Sequence, residues 1–193
     1  MMGLVSLVLL GSCSASEAQE STSAGVDLTG VMVLESAAGC RFDTRTAHAL
    51  DGVLLSDFGA PEMSHAKRVF VGDLELSPEV VREVDDGEFP VITHTGRAAF
   101  PDGTRWHGLT PLALHSYYVS PPETDHYQER GIVFADSPQR LHDALEAMGE
   151  PVPLSPGALE LTEYGPFWGA GCGSSIEVRA EGSGSILSCG YGC

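Results

Sequence analysis

Ser174-Ser175-Ile176-Glu177-Val178-Arg179-Ala180-Glu181-Gly182-Ser183-Gly184-Ser185-Ile186-Leu187-Ser188-Cys189-Gly190-Tyr191-Gly192-Cys193 is the stretch that decides the fold. Ile176, Val178 and Ala180 alternate with Glu177, Arg179 and Glu181, the two-residue period of a strand with one face toward a core. Gly182-Ser183 supplies a two-residue hairpin turn. That turn sets the register. Glu181 opposes Gly184, Ile176 opposes Cys189, and Cys172 opposes Cys193 at the open end, where a cross-strand disulfide can clamp the hairpin. Cys189 shares the inward face with Ile176, so its sulfur is expected to reach another element.

Upstream of the hairpin the pattern is again mostly strand. Val31 to Leu34 is a short strand, and Val53 to Ser56 is another after a turn at Asp51-Gly52. Arg68 to Leu76 alternates with one slip at Gly72-Asp73 and reads as a bulged strand. Pro90 to Thr95 and Thr104 to Gly108 flank the turn Phe100-Pro101-Asp102-Gly103, and Leu112 to Val119 extends them into an antiparallel meander. Pro121 to Arg130 is a polar loop, Ile132 to Ala135 a buried strand, and Leu159 to Thr162 a short one. Two helices interrupt the strands. Ser137 caps and Pro138 opens a helix over 138–148, with Leu141, Ala144, Leu145 and Met148 as one apolar stripe and Gly149 as its stop. Ser77-Pro78 opens a short helix over about 78–84 carrying Val80, Val81 and Val84. The expected fold is therefore α+β: a mainly antiparallel sheet, one well-defined helix, one short helix and a disulfide-clamped C-terminal hairpin.

The other end of the chain carries an address. Leu4 to Leu10 is apolar but too short to span a bilayer, which takes ~20 such residues; it has the length of a signal-peptide core. Leu10-Gly11-Ser12-Cys13 closes this run and resembles the lipobox of bacterial lipoproteins, a resemblance confined to the segment. It implies that residues 1–12 are removed as a signal peptide and that Cys13 becomes the N-terminus, carrying acyl chains such as palmitate. With Ser14 next in place of Asp, it implies delivery to the outer membrane, facing the periplasm. Ser14 to about Asp27 has no apolar pattern, so residues 13–29 read as a lipid-anchored flexible tether and 30–193 as a single globular domain. With Cys13 assigned to lipid, Cys40, Cys172, Cys189 and Cys193 allow three pairings. The hairpin register selects Cys172–Cys193, and Cys40–Cys189 is what remains.

Charge narrows the partners. Against 10 Lys and Arg stand 27 Asp and Glu, a formal net charge of -17, and the chain has no Asn. Such a field repels nucleic acid and favours a cationic protein or small ligand. Chemistry-bearing patterns are sparse. No Gly-x-Ser-x-Gly elbow occurs, and no cofactor motif, so no cofactor is expected. His94 and His107 flank the Pro101-Asp102 turn and would be diagonal neighbours in a tight hairpin, with His115 and His126 as further metal ligands. Glu123, Asp125 and Glu129 combine with Tyr117, Tyr118 and Tyr127 as a carboxylate and aromatic set. Tyr164, Phe167 and Trp168 in a Gly-rich loop are candidates for ligand or partner contact. These features fit a non-catalytic envelope binding or structural module; the alternative is a small envelope enzyme, a metal-dependent or carboxylate-based hydrolase.

Overall fold

The computed structural model describes residues 25–36, 40–54, 64–85, 87, 90–120, 127–155, 159–161 and 173–192. In order these form β1 (Leu34–Ser36), β2 (Arg41–Phe42), α1 (Thr44–Val53), β3 (Val69–Val71), β4 (Leu74–Leu76), β5 (Glu79–Asp85), β6 (Val91–Ala99), β7 (Pro111–Ser120), β8 (Tyr127–Phe134), α2 (Pro138–Ala147), β9 (Leu159–Leu161), β10 (Gly173–Glu181) and β11 (Gly184–Gly192). Seven strands make one sheet in the order β5-β6-β7-β8-β11-β10-β9, while β1–β2 and β3–β4 are separate two-stranded ribbons. Among the described residues, every ladder between these strands is antiparallel. The fold is α+β with a mainly antiparallel sheet and two helices.

The hairpin β10–β11 has the register its turn dictates, with Glu181 opposite Gly184 and Ile176 opposite Cys189. Gly182 takes a φ of 56°, which glycine adopts without steric penalty. Cys189 faces inward and is joined to Cys40. Gly173 and Gly192 close the ladder; Cys172 and Cys193 lie outside the described residues.

One sheet face holds the core. Ala98, Leu114, Ile132, Leu187 and Val178 stand abreast across β6, β7, β8, β11 and β10, and all are buried. Both helices and the ribbons cover this face. Burying a side chain such as Leu114 or Ile132 contributes ~1.5–3 kcal/mol. Between β6 and β7 the segment 100–110 folds over the core edge, burying Phe100, Trp106 and Leu109. The Trp106 ring stacks on Phe134 with centroids 5.7 Å apart, and its Nε1–H donates to the Met32 carbonyl at 2.7 Å. Trp106→Phe keeps most of the packing but strands that carbonyl, so it is expected to lower the unfolding free energy by about 1–2 kcal/mol in urea titrations.

Local structure differs from the sequence reading in several places. The segment expected as a helix over about 78–84 is instead strand β5, Glu79–Asp85; three β-branched valines favour extended backbone, and pairing along β6 from Glu79–Arg97 to Asp85–Val91 decides it. The second helix is α1, which runs through Asp51-Gly52 where a turn was expected. Asp43 caps it by accepting from the Arg45 amide, and Thr46, Ala49, Leu50 and Val53 form its buried stripe. Gly52 is needed for packing: a Cβ there would lie 2.6 Å from Val69 Cγ1. The slip at Gly72-Asp73 is the turn between β3 and β4, with Gly72 at φ 61°. Thr104 to Gly108 is a turn-rich connection and not a strand, while residues 127–130, expected as loop, begin β8. Leu28, assigned to the tether, is buried, and its amide donates to the Arg105 carbonyl at 2.7 Å.

Candidate ligand-binding face

The sheet face turned away from the helices carries a set of polar side chains beside the buried apolar residues Ala113, Val133 and Ile186. Strand alternation places Thr95 and Arg97 of β6, His115 and Tyr117 of β7, Tyr127 and Glu129 of β8, and Glu177, Arg179 and Glu181 of β10 on it. This face is concave. Arg97 and Glu181 stand on strands four steps apart, about 19 Å along a flat sheet, yet Arg97 Nη2 lies 2.5 Å from Glu181 Oε1. Two side chains cannot cover that distance unless the sheet curls toward them. Small residues on the floor permit the curl: a Cβ on Gly131 would come 2.3 Å from the Leu187 carbonyl oxygen, and one on Gly190 would come 2.7 Å from the Tyr127 hydroxyl. The result is an open recess of about 300 Å³ lined by Thr95, Arg97, His115, Tyr117, Glu129, Arg179 and Glu181.

Glu129 is the hub. Its side chain and that of His115 are each only 6% exposed. Arg179 Nη2 donates to Glu129 Oε1 at 2.5 Å, the Tyr127 hydroxyl donates to Oε2 at 3.1 Å, and His115 Nε2 sits 3.5 Å from Oε1. Arg179 also reaches Glu181 at 3.1 Å and Glu177 at 3.5 Å. A continuous lattice thus runs from Tyr127 through Glu129, Arg179 and Glu181 to Arg97. Burial pushes the Glu129 carboxyl upward, but the His115 contact and the Arg179 guanidinium outweigh it and hold the group below the usual carboxylate range. Burial first, and then the Glu129 charge, push the Tyr127 phenol well up. Glu129 therefore stays ionised and acts as an acceptor. His115 Nδ1 is buried and, among the described residues, has no hydrogen-bond partner.

The candidate metal ligands do not converge. His115 faces the recess, whereas His94 occupies the opposite face beside Tyr118, with ring centroids 6.5 Å apart. Burial and then the Arg82 charge lower the His94 pKa. His107 is exposed in the 100–110 connection at φ 48°, and His126 lies outside the described residues. The expected approach of His94 and His107 fails because β6 pairs with β7 and not with residues 104–108. Among the described residues, half-buried His142 and exposed Asp143 and Glu146 of α2 bring ligand atoms within 4.8 Å of one another. His142 Nδ1 is already held 2.6 Å from the Val152 carbonyl oxygen.

The carboxylate and aromatic set fares better. Glu129, Tyr117 and Tyr127 meet on the concave face, while Tyr118 points the other way; Glu123 and Asp125 lie outside the described residues. So do Tyr164, Phe167 and Trp168. Arg97, Arg179 and Glu181 were not singled out beforehand. Alternation in the hairpin already put Arg179 and Glu181 on the outward face, but only sheet order and curl bring Arg97 to them. No protein-family model, curated protein or solved structure matches this chain.

Proposed function

We propose that this chain is an exported, lipid-anchored and non-catalytic binding module of the cell envelope, held at the outer membrane through Cys13, with the concave sheet face as its ligand site. The anchoring half of this reading rests on the lipobox resemblance of Leu10-Gly11-Ser12-Cys13. The binding half rests on the recess lattice, in which acceptors, guanidinium edges and a tyrosine are held by one another in a concave polar surface. A carboxylate-based hydrolase needs one carboxyl kept protonated near neutral pH, and Glu129 is shifted the opposite way. The formal net charge of -17 favours a ligand or protein segment carrying positive charge.

A photo-crosslinking amino acid placed at Tyr117, in the otherwise intact chain in cells, tests both halves. One dominant adduct is expected, absent when the same probe stands at exposed Gln139 on α2. Cys13→Ala is expected to move the adduct from the membrane to the soluble fraction. Matching adducts from the two probe positions would remove the support for the recess as a ligand site. Membrane association that survives Cys13→Ala would remove the support for the anchor.

A further inference from the structure

β5 forms one end of the seven-stranded sheet and, among the described residues, pairs only with β6. A strand in that position presents a row of backbone N–H and C=O groups to solvent. Its exposure runs the whole length: only Val80 is partly covered, while Val81 is 57% and Val84 40% exposed. Apolar side chains left open on an edge are an invitation to pairing.

We infer that the free edge of β5 binds an extended peptide segment of alternating basic and apolar residues as an added strand of the sheet. The register with β6 sorts the side chains. Glu79 lies opposite Arg97, Val81 opposite Thr95 and Glu83 opposite Thr93, so Glu79, Val81, Glu83 and Asp85 share the concave side. Val80, Arg82 and Val84 share the other. Among the described residues, Glu79, Glu83 and Asp85 enter no ion pair. A strand laid beside them meets the carboxylates of Glu79, Glu83 and Asp85 with Val81 among them on one face, and Val80 and Val84 with Arg82 between them on the other. Basic residues at every second position answer the first face, and apolar residues between them answer the second. A second copy of this chain fits poorly. Antiparallel pairing of two β5 strands about their midpoint sets Arg82 against Arg82 and Glu79 against Asp85. This edge adjoins the recess, since Glu79 and Val81 pair with the recess residues Arg97 and Thr95, but strand addition along it does not depend on the recess being occupied.

The test uses the full chain and the peptide acetyl-Lys-Val-Lys-Val-Lys-Val-Lys-amide, matched to the seven residues of β5. Backbone amide shifts and slowed hydrogen exchange confined to residues 79–85 and their β6 partners are expected. N-methylation of alternate peptide residues removes donors without removing charge, and should weaken binding at least about tenfold. A Glu79→Lys, Glu83→Lys double variant, altered only at exposed positions, should lose the basic peptide and accept its Glu-Val counterpart. Equal binding of the N-methylated peptide would reduce the interaction to bulk charge and overturn the inference. Absence of binding would overturn it too, as would shifts confined to Tyr117 and Glu129 or a β5-mediated dimer in sedimentation.

Discussion

Replacing Cys40 and Cys189 together by alanine is expected to lower the unfolding free energy by about 3–5 kcal/mol. The bond joins residues 149 apart in sequence. Chain-entropy arguments give about 5 kcal/mol for closing a loop of that length in the unfolded chain, and residual structure in the denatured state reduces the figure. Position matters as well. Cys189 lies in the middle of β11, buried beside Ile176, and Cys40 stands just ahead of β2 and α1. The link therefore fastens the N-terminal ribbon and helix to the centre of the sheet. Both cysteines are replaced so that neither is left as an unpaired thiol to reshuffle. Guanidinium unfolding of the oxidised protein and the double variant measures the difference. A loss below about 1 kcal/mol would contradict the entropic argument for this loop.

The C-terminal hairpin was legible because all its determinants are local: strict alternation, a two-residue turn, and a register that follows from both. The same locality made α2 legible through Ser137, Pro138 and its apolar stripe. β5 was misread for a related reason. Val80, Val81 and Val84 fit a helical face as well as a strand, and the interaction that decides between them, a ladder with β6, is absent from the local sequence. α1 was missed because Asp51-Gly52 is a turn signal in isolation, whereas in the fold Gly52 only has to make room for Val69. The recess was the least legible part. Its members come from β6, β7, β8 and β10, and they meet only because the sheet order is established and the sheet then curls. Glu129, Tyr117 and Tyr127 were visible as residue types with suitable chemistry, but their arginine partners were not.

Glu129→Gln carries the other large expected effect, about 2 kcal/mol of lost stability at neutral pH. Breaking a buried ion pair typically costs ~3–5 kcal/mol because the surviving partner is left unpaired. Here Arg179 keeps Glu181 at 3.1 Å and Glu177 at 3.5 Å and is 29% exposed, so the cost falls toward that of charge-assisted hydrogen bonds, ~1.5–3 kcal/mol. Acidity distinguishes this account from a simple packing defect. The folded-state Glu129 carboxyl is held below its ordinary value of 4.5, so on acidification the unfolded chain takes up the proton first. The stabilisation from Glu129 is therefore complete above about pH 4.5 and disappears as the pH falls through the lower folded-state value. Glutamine has no proton to gain, so the gap between wild type and Glu129→Gln should be widest at pH 7 and should narrow steadily below pH 4.5. Urea titrations of both proteins from pH 7 to pH 3 measure that gap. If it stayed constant across the range, Glu129 would be acting through shape alone, and the recess lattice would lose the charge that orders it.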